Sequence, residues 1–419
     1  MRILSFRTCP IPLAVALALT ATLNLGAETV TTVGPHQYLQ ANGTPLFAIA
    51  CYGLPKGMEP SEGKAMGFNL LRSGADVETL NTYQKAGLYA WVTLGGPFDM
   101  TGSEQDIEKK KTQMKQVVAK VGNHPALIMW ESIDEPAWTD DEPAKSRNGY
   151  KAMEAGYKYL RTLETNHPVY LNHAPRNTVE TLRKYSTGCD IVCVDIYPII
   201  PKGIKKMFAI TPDGRQGDLP NQTPSCVGEY VDKMKKAAYP GQPVFIVLQG
   251  FSWEMLRPEN ERDPNLILFP TYEESRFMAW NAIIHGANGL VYWGLHYTPK
   301  DNPLVDHLSK VLNEIRDLEP IILGREPLHK PVLRYAERGS TITAGVETML
   351  REVNGVVYMA AANTSIDPAG ATFEALPEPF STCSCLEVLG ENRTIAIEGN
   401  AFHDEFDGLG VHIYKGNPE

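Results

Sequence analysis

The stretch ALIMWESIDEP, residues 126–136, decides how the rest of the chain reads. Ala126 to Trp130 follow the breaker His124-Pro125 and have the continuous hydrophobicity of a strand covered on both faces. Pro136 cannot donate to a ladder, so pairing stops before it. Two adjacent carboxylates, Asp134 and Glu135, are thus delivered to the C-terminal end of a buried strand. Paired acids are costly there unless they face a cleft. In parallel α/β folds that end carries the active site. The competing reading makes Asp134 a helix N-cap, with Glu135 and Pro136 in the first turn.

Outward from this stretch the same rhythm repeats. Apolar runs LFAIACYG (46–53), FNLLR (68–72) and LYAWVTL (88–94) precede it; PVYLN (168–172), DIVCVDIY (190–197), PVFIVLQ (243–249) and GLVYW (289–293) follow. Helical patterns lie between them, among them a long charged amphipathic one over 104–121. Eight such units predict an α/β chain folded as a (β/α)8 TIM barrel, with residues 126–130 as its fourth strand; a doubly wound open sheet is the alternative. Residues 30–39 read as a lead-in strand, and Asn42-Gly43 as a hairpin turn. From about His329 short alternating runs replace helices, which predicts an all-β sandwich. The domains are therefore a barrel over 28–325 and a β-sandwich over 326–419.

Residues 1–27 read as a signal peptide. Arg2 and Arg7 precede an apolar run over 12–23, and Leu25-Gly26-Ala27 offers a cleavage site. The expected product is secreted or periplasmic, without membrane insertion. A net charge of −10 argues against nucleic acid and leaves neutral partners open. Six of the seven cysteines follow residue 27, too sparse for a disulfide scaffold. No HExxH or clustered His spacing calls for a metal, and no Gly-rich loop calls for a nucleotide cofactor.

In a barrel the strand-end residues converge. Here they are Tyr52, Arg72, Asp99, Asp134, Glu135, Asn172, His173, Asp195, Tyr197, Gln249, Trp293 and His296. Acids, amides, aromatics and an arginine together suit a carbohydrate substrate: carboxylates for proton transfer, aromatics for sugar faces, amides and arginine for hydroxyls. Plainer roles stand beside these. His173 and His296 could be supporting hydrogen-bond groups, Arg72 could pair with a buried carboxylate, and Asp195 could cap the turn at Pro198. Trp91 and Trp130 read as core, Trp293 as a sugar platform, and Glu274 and Arg276 as an exposed helical pair.

The run Trp130-Glu-Ser-Ile-Asp-Glu-Pro136 resembles the W-E-x-x-N-E-P signature of the cellulase-like glycoside hydrolases, retaining TIM-barrel enzymes with catalytic glutamates on strands 4 and 7. FNLLR resembles their arginine strand, DIVCVDIYP their strand 6, and Trp293 their strand-8 tryptophan. Glu391-Asn-Arg393 and the run 402–415 resemble the last strands of the β-sandwich found on many secreted members. The resemblance implies that Glu135 is the general acid.

The chain departs from that pattern twice. Asp134 stands where the family has Asn, and neighbouring carboxylates raise one another's pKa. Strand 7 ends in Gln249, and an amide cannot be the carboxylate nucleophile. Three accounts follow. In the first, Glu135 is the acid and Asp195 or Asp134 activates water, the carboxyl groups about 6.5–9.5 Å apart, with Gln249 positioning water or sugar. In the second, Asp134 and Glu135 act as in substrate-assisted hexosaminidases. In the third, the barrel binds carbohydrate without turnover. Glu254 and Glu229 are candidate replacement nucleophiles, Glu229 with capping as its simpler role.

Overall fold

The computed structural model describes residues 28–138, 146–201, 209–210, 216–217, 221–327, 329–335 and 345–416. The expected signal peptide lies outside them. Eight parallel strands form a closed barrel: β1 (Ala48–Cys51), β2 (Leu70–Ser73), β3 (Tyr89–Thr93), β4 (Leu127–Glu131), β5 (Val169–His173), β6 (Ile191–Asp195), β7 (Val244–Gln249) and β8 (Gly289–Trp293). Closure is made by β8 pairing with β1, so no edge is left open. Each strand is followed by a helix: α1 (Pro60–Ala65), α2 (Val77–Lys85), α3 (Glu104–Val121), α4 (Tyr150–Leu163), α5 (Val179–Tyr185), α6 (Cys226–Ala237), α7 (Tyr272–Ile284) and α8 (Pro303–Asp317).

The continuous apolar runs are explained by two-sided burial. Trp91, Met129, Tyr170, Phe245 and Val247 fill the barrel, while Trp130, Leu171 and Ile246 on alternate positions pack outward under the helices. Leu39, from a three-stranded lead-in sheet, joins the interior cluster. Its hairpin turns at Asn42 and Gly43, whose φ values of 49° and 80° are those a two-residue I′ turn demands. The lead-in strand expected over 30–39 is broken into Thr31–Val33 and Leu39–Ala41.

The C-terminal part is a β-sandwich. A three-stranded sheet (Val332–Tyr335, Ala369–Glu374, Ala401–Phe406) faces a five-stranded one ordered Val346–Val353, Val356–Asn363, Val411–Gly416, Cys385–Val388, Arg393–Ala396. Phe373 and Phe402 stack at 4.6 Å between them. Cys51, Cys189, Cys193 and Cys226 are buried free thiols.

The five-stranded sheet packs on the barrel, its Met349, Ala360 and Ile413 merging into the barrel's outer core. This corrects the reading of Arg276 as an exposed partner of Glu274. Arg276 is mostly buried on α7, pairs bidentately with Glu314 at 2.8 Å and donates to the carbonyl of Val411. Glu274 instead closes the capping box at Thr271. The helix is apolar on nearly every side because the sandwich covers the face a barrel helix normally shows to water.

His285, just past α7, bridges Asp232 Oδ2 at 2.9 Å and Glu347 Oε2 at 2.8 Å, joining barrel to sandwich. Burial alone would push this imidazole down, but the two carboxylates outweigh it and hold it up at about 9. A raised histidine stabilises fully below its unfolded value and loses that contribution as pH climbs through the folded one. His285→Gln should therefore cost about 2 kcal/mol at pH 6 and clearly less at pH 10, read from urea midpoints at both.

Candidate active site

β4 runs one residue past its expected end, and Glu131, 1 % exposed, is its last member. Its Oε2 accepts from Arg72 Nε at 2.6 Å. Arg72 thus meets a buried carboxylate, its plainer expected role, and its guanidinium also lies 5.3 Å over the Tyr52 ring. Burial raises the Glu131 carboxyl and Arg72 pulls it back.

Among the described residues no helix starts at the acid pair, residues 134–138 being bend, turn and loop, so Asp134 is not an N-cap. Residues 132–138 instead form a loop over the barrel mouth. Glu135 holds a left-handed backbone with φ 47°, which a non-glycine residue adopts at a cost of about 1–2 kcal/mol. Two backbone bonds fix it there: Glu135 N to Asn172 O and Trp138 N to Glu135 O, both 3.1 Å. Asn172 Nδ2 donates to Asp134 Oδ1 at 3.1 Å. One residue of β5 therefore orients both acids.

A cleft of about 340 Å³ opens at this end of the barrel. Seven of the expected site residues line it: Tyr52, Asp134, Glu135, Asn172, Asp195, Tyr197 and Trp293. Trp293 stacks on Tyr197 at 5.6 Å and 25°. The Tyr52 hydroxyl meets that of Tyr170 at 3.2 Å. Asp195, 7 % exposed at the end of β6, is raised well above the carboxylate range, first by burial and then by Glu135 and Asp134. Asp134 opens to the cleft but is ringed by protein. That enclosure raises it too, against Asn172, Arg72 and Arg147.

The expected role of Gln249 is corrected. Its side chain is fully buried and bound to backbone: Oε1 accepts from Ile199 N at 2.9 Å, while Nε2 donates to Ile199 O at 2.9 Å and Phe251 O at 3.0 Å. The carboxamide thus ties the loop after β6 to the end of β7 and does not face the cleft. His173 is buried behind the cleft wall, edge-on to Tyr185, and burial lowers its imidazole to about 3. It is core rather than a sugar contact. His296 sits outside the cleft lining, 4.1 Å from the Tyr297 ring. Asp99 accepts from Thr101 N and Asn148 Nδ2 and braces its loop.

Neither replacement nucleophile reaches the cleft. Glu254 is fully buried and accepts from Asp263 N at 2.6 Å. Glu229 lies in the first turn of α6 and accepts from Asn221. Among the described residues, no group of three or more His, Cys, Asp or Glu is placed to hold a metal ion. Sequence reading missed Trp138, Arg176 and Trp253, which complete the cleft wall. They stand in loops without periodicity, and only their closeness to WESIDEP, NH and LQGF could have singled them out. Two guanidinium groups lie over the Trp138 ring, Arg147 Cζ at 4.5 Å and Arg176 Cζ at 4.8 Å from its centroid.

Compared with solved structures, the fold is that of glycoside hydrolases. A protein described as a glycoside hydrolase superposes with TM-score 0.56 at 15% identity, covering 93% of this chain and 97% of its own. A glycoside hydrolase family 5 protein from Bacteroides vulgatus gives 0.57 at 14% identity, with 93% of each chain covered. An Anoxybacillus alpha-amylase gives 0.53 at 10% identity, covering 89% of this chain and 98% of its own. No family model and no curated protein matches the sequence.

The anchoring of Gln249 makes a direct test. Gln249→Glu places a carboxylate against two backbone carbonyls that now accept from the amide. It should not supply a nucleophile. It should cost about 2–4 kcal/mol at pH 7, measured by denaturant unfolding.

Proposed function

We propose that this chain is an exported glycosidase that hydrolyses O-glycosidic bonds of a poly- or oligosaccharide by direct attack of water, with Glu135 and Asp195 as its acid–base pair. The observation that carries this reading is the convergence of Asp134, Glu135 and Asp195 in one aromatic-walled cleft at the strand ends. Burial of Asp195 and the charges beside it disfavour full ionisation, so the pair retains one proton at neutral pH. Inverting hydrolysis of an acetal uses carboxyl groups in that state.

Glu135, the less buried of the two, gives its proton to the glycosidic oxygen as the bond from that oxygen to the anomeric carbon breaks. Asp195, ionised when the shared proton sits on Glu135, takes a proton from water as the water oxygen bonds to the same carbon, and that proton passes back to Glu135 before the next turnover. Two hydroxyl products result, and the pair again holds one proton. Asp134 adds negative charge beside the developing oxocarbenium ion. Trp293, stacked on Tyr197, offers a flat apolar face for the sugar. The anchored amide at Gln249 favours water over a strand-7 nucleophile. The same amide favours the second reading, a cleft that binds carbohydrate without turnover.

Over a panel of polysaccharides, Glu135→Gln and Asp195→Asn should each lower kcat by about 10²–10⁴-fold. NMR of the first product should show an inverted anomeric centre. Net retention, including on 2-acetamido sugars, contradicts the water route, and glycans bound but never cleaved by the wild type favour the second reading. The pH profile carries its own sign. Asp134 raises Asp195, so Asp134→Asn should let the pair lose its proton earlier and move the alkaline limb of kcat to lower pH.

A further inference from the structure

Building on the glycan reading above, we infer that the cleft continues past Trp293 into a second sugar-binding position formed by Tyr297 and His296. The substrate is then a chain that runs out of the cleft across the loop after β8. Tyr197 and Trp293 stack within the cleft, and the row of rings does not end with them. Trp253 meets Tyr197 at 6.0 Å on one side, and Tyr297 meets Trp293 at 5.6 Å on the other. Tyr297 lies beyond the cleft lining and is 40 % exposed, so the row leads from the cleft to the surface. A lone exposed ring is ordinary and calls for no ligand. This one adjoins the proposed sugar platform edge to edge, and Trp293 borders both positions. A glycan lying on Trp293 therefore has its next unit beside Tyr297.

The loop that presents Tyr297 is fixed from several sides. Gly294 stands at φ 90°, and a side chain there would run into the Phe251 ring, which meets Trp293 edge-on at 5.0 Å. That turn opens the single helical turn Leu295–Tyr297. Tyr297 N donates to Gly294 O and Thr298 N to Leu295 O, both at 2.9 Å. Thr298 Oγ1, buried, donates to Gly250 O at 2.7 Å. Lys300 ties the far end of the loop to α1 through Glu62 at 2.7 Å. His296 packs over Gly53, where an added Cβ would lie 3.5 Å from Nδ1, and its ring lies 4.1 Å from that of Tyr297. The rings are thus presented by a loop with little freedom left to lose on binding. Among the described residues, no group hydrogen-bonds the Tyr297 hydroxyl or the His296 ring nitrogens. An apolar ring beside uncommitted polar tips matches a sugar, which has C–H faces rimmed by hydroxyls.

The test is binding to the Glu135→Gln protein by calorimetry, which needs no turnover. The probes are α- and β-linked gluco-, manno-, xylo- and galacto-oligosaccharides, each from dimer to hexamer, with octyl glycosides of the same sugars beside them. Affinity should climb with chain length and then level off, the last step being about tenfold. Adding Tyr297→Ala should remove that last step and leave the dimer unchanged. Tyr297→Phe, which keeps the ring, should retain most of the step, and His296→Ala should lose part of it. Thermal melts of the variants establish that they fold. A loss in Tyr297→Ala that falls equally on dimer and hexamer, or no loss on any chain, overturns the second position and leaves the glycan reading standing. An octyl glycoside that gains as much from Tyr297 as a longer chain does also overturns it, because the ring then serves an apolar tail. Failure to bind any chain of any series overturns both readings.

Discussion

Three carboxyl groups cannot all ionise in one half-dry cleft, and the mouth of this barrel is built under that constraint. Asp134, Glu135 and Asp195 come from two strand ends, and the first two, together with burial, raise the proton affinity of Asp195. In the proposed mechanism the cleft relieves the repulsion by keeping a proton rather than by importing a counter-ion for every acid. Arg72 is already committed to Glu131, one step deeper. Acid–base chemistry draws on a proton held in this way.

The scaffold explains why the acids stay in place. Glu135 sits in a left-handed conformation that costs free energy, and the backbone of Asn172 holds it there. The loops around it are tied by groups that never touch the cleft: Gln249 to Ile199, Trp253 to the carbonyl of Tyr197, and Asn177 to Ala137. The sandwich serves the barrel through α7, where Arg276 and His285 satisfy polar groups that the covered helix would otherwise bury.

Much of this was legible in the sequence, for identifiable reasons. Barrel strands buried on both faces read as unbroken apolar runs, so all eight could be placed, and their ends named seven of the fifteen residues lining the cleft. What escaped was set by contacts rather than by pattern. Nothing in LQGF shows whether Gln249 turns toward the cleft or toward the backbone of Ile199, a neighbour fifty residues away. His173 ends β5 beside Asn172, yet alternation along the strand sends the two to opposite sides, one behind the wall and one into the cleft. Glu274 and Arg276 suited a solvent face because the sandwich that covers α7 comes from sequence far downstream. Trp138 and Arg176 stand in loops, where no period marks position.

The central claim is that Glu135 and Asp195 together keep one proton at neutral pH. Carbon-13 NMR of the side-chain carboxyl carbons, titrated with Asp195→Asn and Glu135→Gln as assignment controls, measures this without any substrate. The account predicts one shared proton that stays bound at pH 7, above the ordinary carboxylate range. Carboxyl signals showing both groups fully ionised by pH 5 would contradict it.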